Sequence, residues 1–402
     1  MHVLLTVDWF LIIEKAILIS IIIAVSLLVA MYETYAERKV AAAIQDRRGP
    51  SRAGPFGILQ PLADGLKLFM KEEIVPNLSN KFLFILGPGI AMLTAMMTSA
   101  VVPWGGNIHA FGRDIALQIA DVNIGILYIF GVVSMGVYGV MIGGWASNNK
   151  FSLLAAIRGA SQIISYELAM GLTLIAMLML TGSLSLHTIV GQQLDKTYYV
   201  AYQPLGFIIF LICAFAECNR TPFDLSEAES ELNFGYHQEY SSMKLGFYLF
   251  AEYVNMFISS AVMATIFWGG YDIPFLNDTN FGLLHGQNLL AGLEVLCFFL
   301  KICVFIFFFI WVRWTIPRFR YDQLMRLGWK TLIPLAILNM LVTGFLLTTI
   351  MMALNKASIL KNQNRNWVAL INYFFQVCSL WLSHKLRVLS MDWVSAIRAC
   401  HI

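Results

Sequence analysis

Long apolar runs separated by short polar stretches fill most of the chain. A helix needs about 20 apolar residues to cross the hydrocarbon of a bilayer. Eight runs reach or approach that length, at 12–35, 82–103, 122–146, 161–181, 204–219, 245–268, 290–312 and 331–354. The fifth is short unless its helix begins before Pro204. Residues 57–72 follow a different rhythm. Gln60, Asp64, Lys67 and Lys71 recur at steps of four, three and four, which places them on one helical face, while Ile58, Leu59, Leu62, Leu66, Phe69 and Met70 fill the rest. Too short to span, this segment is expected to lie in the interface plane, a soluble cap helix being the alternative. The preceding stretch, QDRRGPSRAGPFG, holds too many Gly and Pro for a helix. In the tail, WVALINYFFQVCSLWL (367–382) reads equally as a ninth span or a second interfacial helix. The first apolar run continues to about Met31 with no basic segment before it and no small-residue cleavage site, so it is expected to be retained as a span.

Composition removes the soluble alternative. Of 402 residues, 58% are hydrophobic and 13% charged, against about 25% charged in soluble domains. The expected fold is all-α, a polytopic membrane helix bundle of eight core spans with one interfacial helix. It divides into a membrane domain at 1–354 and a tail at 355–402. The net charge of +3 is small, and no basic run interleaves with aromatics, which excludes nucleic acid as a partner. The six cysteines form no C-x-x-C and the seven histidines no H-x-x-x-H, so no metal, iron–sulfur or haem site is expected.

Charge placement orients the spans. Arg38, Lys39, Arg47, Arg48, Arg52, Lys67, Lys71 and Lys81 lie in the first connection, with more basic residues in the third, fifth and seventh. The even connections hold only Arg113 and Lys196. The basic side is expected inside and the N-terminus outside. The fifth connection breaks this pattern. NRTPFDLSEAESELNFGYHQEYS (219–241) gathers Asp224, Glu227, Glu229, Glu231 and Glu239. SEAE fits a capping box. A helix from Glu227 would put Glu227 and Glu231 on one face, where like charges repel. Crowded carboxylates titrate as a set. Further acids fall within or at the ends of spans: Glu167, Glu217, Glu252 and Glu294, the last seven residues from Lys301. Each charge at the bilayer centre costs about 3 kcal/mol on insertion scales. They suit a proton path, because burial raises a carboxyl's proton affinity. The alternative is that they lock helices together through hydrogen bonds.

These residues carry a resemblance. AERKVAAAIQDRRGPSRAGPFGILQPLADGLKLFMKEEIVP, GWASNNKFSLLAAIRGASQIISYELAMG, AECNRTPFDLSEAESELNFGYHQEYSSMK and RYDQLMRLGWK resemble, in order, the first, third, fifth and seventh loops of the H-subunit family of respiratory complex I, from about residue 10 to 350. The resemblance implies a membrane-arm subunit of a proton-pumping NADH-quinone oxidoreductase. Its partners would be other membrane and peripheral-arm subunits, quinone as substrate and the lipid bilayer of a bacterial inner membrane, and it would bind no redox cofactor of its own. Glu37, Arg38, Lys39, Arg47, Arg52, Gln60, Asp64 and Lys67 match quinone-chamber positions. Glu167, Glu217, Asp224, Glu227, Glu229 and Glu231 match acids of the coupling path, to which the in-span Glu252 is added. Ser226 stands where many members have Pro, and Met135 where some have Glu. A membrane subunit of a related hydrogenase-type complex stays open as the alternative. A free-standing transporter is disfavoured, since no internal repeat is detectable.

Overall fold

The computed structural model describes residues 9–358 except 111, 195–196 and 275–286, and gives the backbone alone at 110, 229, 230, 287 and 350–358. Its helices are α1 Trp9–Ile44, α2 Gln60–Met70, α3 Lys81–Thr98, α4 Gly125–Ala146, α5 Lys150–Thr181, α6 Leu186–Gln193, α7 Tyr199–Tyr202, α8 Pro204–Glu217, α9 Glu229–Leu232, α10 Ser242–Phe267, α11 Gln287–Thr315, α12 Tyr321–Arg326 and α13 Ile333–Ser358. A π turn at Leu327–Leu332 joins the last two. A β-hairpin, β1 Asn107–Ala110 with β2 Arg113–Ala116, crosses the second connection, where the apolar pattern gave no hint of strands.

Among the described residues, seven helical stretches are long and apolar enough to cross a membrane, and α8 is a shorter apolar eighth. The chain is an all-α integral membrane bundle. With 14 residues, α8 spans only about 21 Å. It does begin at Pro204, whose missing N–H costs nothing in a first turn. By contrast α1 has 36 residues, about 54 Å, and outruns any bilayer. Glu37, Arg38 and Lys39 therefore lie inside this helix, before its end at Ile44.

Sequence chemistry sets the boundaries. Asn80 and Asn149 cap α3 and α5 by accepting the backbone N–H groups of Phe82, Leu83 and Phe151. Gly182, at φ 67°, closes α5 in the left-handed region. In the bundle α4 approaches α3 so closely that a Cβ on Gly139 would fall 2.9 Å from the Ala91 nitrogen. The Tyr248 hydroxyl of α10 donates to the Gly139 carbonyl at 3.1 Å, filling the groove. Buried alanines and rings such as Phe257, Phe267 and Phe298 make up the core.

The interfacial segment is shorter than its sequence pattern. Pro55–Gly57 is a separate 3-10 turn, and Lys71 is extended (ψ 141°), which leaves Gln60, Asp64 and Lys67 as the polar stripe. Two compact units divide after Gly344. Within the second, the described residues continue α13 to Ser358. The segment 367–382 lies outside the described residues.

Candidate functional site

The site is built where the first, third, fifth and seventh connections meet. Helix α2 turns its polar stripe toward α1: Gln60 Nε2 donates to Asp64 Oδ1 at 3.2 Å, and Asp64 Oδ2 pairs with Arg38 at 2.7 Å. Its apolar side, including Leu62, Leu66 and Phe69, is exposed. Its far end is clasped to the fifth connection. Ser242 Oγ donates to the Leu68 carbonyl at 3.1 Å, Ile74 N–H donates to Ser241 Oγ at 2.8 Å, and Lys244 pairs with Glu73. A cavity of about 490 Å³ lies between α1, α2 and α10, bordered by Glu37, Arg38, Asp64, Lys67, Phe250, Tyr253 and Trp314. A second, of about 560 Å³, is bordered by Arg38, Arg47, Arg48, Arg52 and Gln60. Lys39 lines neither and sits 5.5 Å from the centre of the Tyr35 ring.

At the back of the first cavity, Glu37 is buried among cations. Arg313 pairs with it at 2.8 Å, Tyr253 O–H donates to it at 2.8 Å, and Arg220 stands 3.8 Å away. The Arg220 guanidinium is buried and lies 4.1 Å from the Tyr253 ring centre. Burial works against its charge, but Tyr253, Glu37, Glu252 and Glu227 outweigh that and hold it protonated.

Asp224 pairs with Arg318 at 2.7 Å. Burial, reinforced by Glu227, still pushes its pKa up to about 7 against the pull of Arg318 and Arg220. Glu227 lies 3.7 Å from His237 Nδ1. Burial lowers the His237 pKa, with Glu227 opposing, so the ring is neutral at pH 7 and the contact is no ion pair. Glu227 and Glu252 are within hydrogen-bonding reach of one another, an arrangement that needs a proton between them. Tyr236 O–H donates to Glu252 at 3.3 Å. Gln162 of α5 holds the connection in place, donating to the Ala216 and Phe223 carbonyls at 2.8 and 2.6 Å.

Two expectations for this connection fail. Helix α9 begins at Glu229 with Ala228 as its N-cap and no side-chain cap, so Ser226 and Glu229 do not form a capping box. Glu227 is therefore outside the helix and shares no face with Glu231. It turns inward to Glu252, whereas Glu231 is half exposed and pairs with Arg158 at 2.7 Å. Glu239 accepts from Asn149 Nδ2 at 2.8 Å. The Glu229 side chain is outside the described residues.

Deeper in the bundle, Glu217 borders two small cavities of about 50 and 40 Å³, both also lined by Thr98, Val133 and Asn255. Glu252 lines the larger. Glu167 acts electrostatically on Glu217 and accepts a hydrogen bond from Ser134. Met135 is 54% exposed, on the outside of α4. Glu294 and Lys301 are not partners. Glu294 accepts the Gly106 N–H at 2.7 Å, and Lys301 donates to the carbonyls of Trp268, Gly270 and Asp272 at 2.7–3.0 Å. Sequence reasoning missed Glu33, which is 3% exposed one turn before Glu37. Its place in the first apolar run, four residues before Glu37, was the available signal.

A model of the NADH dehydrogenase family matches residues 16–344. The chain belongs to the NADH dehydrogenase family. The match to that family ends where the first compact unit ends. Among curated relatives, the NADH-quinone oxidoreductase H subunit of Flavobacterium psychrophilum is 65% identical over 336 residues, covering 84% of this chain and 97% of the relative. The NADH-quinone oxidoreductase H subunit 1 of Cytophaga hutchinsonii is 64% identical over 331 residues (82% and 96%). That of Geobacter metallireducens, likewise numbered 1, is 48% identical over 329 residues (82% and 95%).

Proposed function

We propose that this chain is the membrane-arm subunit of a proton-pumping NADH-quinone oxidoreductase, forming part of the quinone chamber and passing the consequence of quinone reduction into buried carboxyls. One observation carries the reading. The cavity bordered by α2 adjoins, through Glu37 and Arg220, a set of buried and half-buried acids that leads to Glu217 and Glu167. A quinone head must leave the bilayer while its isoprenoid tail stays in lipid. That calls for an apolar floor with a polar rim, which α2 and α1 provide.

In this reading Glu37, Arg38, Gln60, Asp64 and Lys67 border the head group, with Arg38 placed to orient a carbonyl oxygen. Arg47 and Arg52, which border the neighbouring cavity with Arg38 and Gln60, and Lys39 of α1 belong to the same chamber. Asp224, Glu227, Glu229, Glu231 and Glu252 handle protons between the chamber and Glu217 and Glu167. Quinone is the substrate, and the chain itself carries no redox group. Residues 1–354 form the membrane domain and 355–402 a tail. The basic connections face the cytoplasm of a bacterium and the N-terminus faces outward across its inner membrane, so cysteines placed at Ser79 or Asn148 should resist labelling from outside.

A photoreactive quinone analogue should label this chain within 47–72. Asp64→Lys, which reverses the Arg38 partner, should raise the apparent KM for short-chain quinones while the complex still assembles. Labelling confined to other subunits, with unchanged quinone kinetics in that variant, would remove the quinone chamber from α2 and favour the hydrogenase-type reading.

A further inference from the structure

Most buried acids at this end of the bundle have a partner. Glu37 has Arg313, Tyr253 and Arg220; Asp224 has Arg318; Glu252 has Tyr236 and Glu227. Glu33 is the exception. It is 3% exposed, and neither carboxyl oxygen meets a donor among the described residues. An ionised carboxylate buried with no donor is strongly disfavoured, so a neutral, protonated carboxyl is the state this position favours.

Its surroundings show where such a proton could go. Glu37 lies four residues on, about 6 Å along α1, and borders the 490 Å³ cavity. The charges acting on Glu33 are those of Arg220 and Glu37. Glu33 acts in turn on Cys218, after α8, and on Cys303 of α11. Cys218 lines the 40 Å³ cavity beside Glu217, a volume with room for about one or two water molecules. Glu33 thus stands between the cavity at α2 and Glu217. The acids of the fifth connection reach Glu217 separately, through Glu252 and the 50 Å³ cavity.

We propose that Glu33 is a proton-holding residue of a second route, from Glu37 along α1 to Glu217, running beside the route through Asp224, Glu227 and Glu252 and meeting it at Glu217. The elementary step moves one proton between carboxyls. The proton held on Glu33 leaves through ordered water, its O–H bond breaking as one forms on Glu217. A proton taken up on Glu37 from the cavity then replaces it, the Glu37 O–H bond breaking as the Glu33 O–H bond re-forms, which returns Glu37 to the anion held by Arg313 and Arg220. The inference rests on the proposed function, since it takes the α2 cavity as the place where protons are taken up or released.

The test uses the assembled complex in vesicles and reads protons moved per quinone reduced. Glu33→Gln keeps volume and hydrogen-bonding groups but cannot carry the proton, so the ratio should fall roughly twofold. Combined with Asp224→Asn it should fall by at least roughly tenfold, more than the product of the single effects, because both routes are then interrupted. In redox-difference infrared spectra, a carbonyl-stretch band of a protonated carboxyl should be lost in Glu33→Gln. If the Gln variant does not assemble, Glu33→Met, of similar volume and without a polar atom to bury, takes its place with the same expected ratio. An unchanged ratio and an unchanged band in either assembled variant would overturn the second route, and so would failure of both variants to assemble, which would mark Glu33 as structural. If the native complex reduces no quinone, it is the proposed function that fails; native reduction with a silent Glu33 sinks this inference alone.

Discussion

The two ends of the bundle treat buried polar side chains in opposite ways. At the end of the even connections many hydrogen bonds of buried polar groups run to backbone. Glu294 accepts a backbone N–H of Gly106, Lys301 donates to three carbonyls beyond α10, and Gln193 donates to the carbonyls of Thr265 and Ile266. Gln118 donates to the Val101 carbonyl. At the end of the odd connections, the buried ionisable groups face one another: Glu37 with Arg313 and Arg220, Asp224 with Arg318 and Glu227, Glu227 with Glu252. A backbone partner cannot change its protonation, so such bonds favour one arrangement. A set of mutually facing acids and bases has several states of similar energy, differing in where a proton sits. Both ends bury charge, and the second has the larger set of mutually facing groups through which to redistribute it.

Breaking the odd end should have the largest effect. Arg220→Met leaves Glu37, Glu227 and Glu252 short of a buried cation, a change that typically costs about 3–5 kcal/mol. Little assembled complex should be recovered on native gels. Lys301→Met tests the other end. Three carbonyls past α10 would lose their donor, at about 1 kcal/mol each. The complex should assemble and inactivate at lower temperature, with an unaltered ratio of protons moved per quinone reduced. A fall in that ratio would erase the contrast between the ends.

Much of this was legible in the chain. Apolar runs alone place the long helices, because spanning hydrocarbon leaves few other options for a backbone. The polar stripe at Gln60, Asp64 and Lys67 likewise marks out α2. What failed was local and polar. SEAE suggested a cap and a shared face for Glu227 and Glu231, but a single turn of helix is too short to hold its own register, and Glu227 is drawn to Glu252, which lies in α10. Spacing put Glu294 and Lys301 on one helix face but gave no sign of the backbone groups each reaches. Glu33 went unnoticed because its importance comes from what surrounds it in three dimensions. Helix periodicity is written along one segment; partnership is decided by others.

A titration gives a smaller, graded effect. Asp224 binds its proton more tightly in the fold, with a pKa of about 7, than at its ordinary value of 3.8. Between those values the folded state holds more protons than the unfolded one, so the stability associated with Asp224 is full at low pH and is lost as pH rises toward about 7. Above that it should be flat. The inactivation temperature of the solubilised complex should therefore fall from about pH 5 to about pH 7, and Asp224→Asn, which stays neutral, should flatten part of that slope. A slope of the opposite sign would mean that Arg318 prevails over burial and Glu227.

The smallest effect expected is also the most local. Glu227 and Glu231 are four residues apart and chemically identical, but only the first turns into the buried set. Glu227→Gln replaces a carboxyl that reaches Glu252, so it should lower the protons moved per quinone reduced and shift the pH dependence of turnover. Glu231→Gln removes one exposed pairing with Arg158, whose side chains are 50% and 33% exposed, and such pairs contribute at most about 1 kcal/mol. Its turnover and proton ratio should stay near native. The double variant should match Glu227→Gln alone, because the two residues share no partner. Equal losses in the two single variants, or a double variant far worse than either, would restore a shared acidic face and show that the inward turn of Glu227 has no functional consequence.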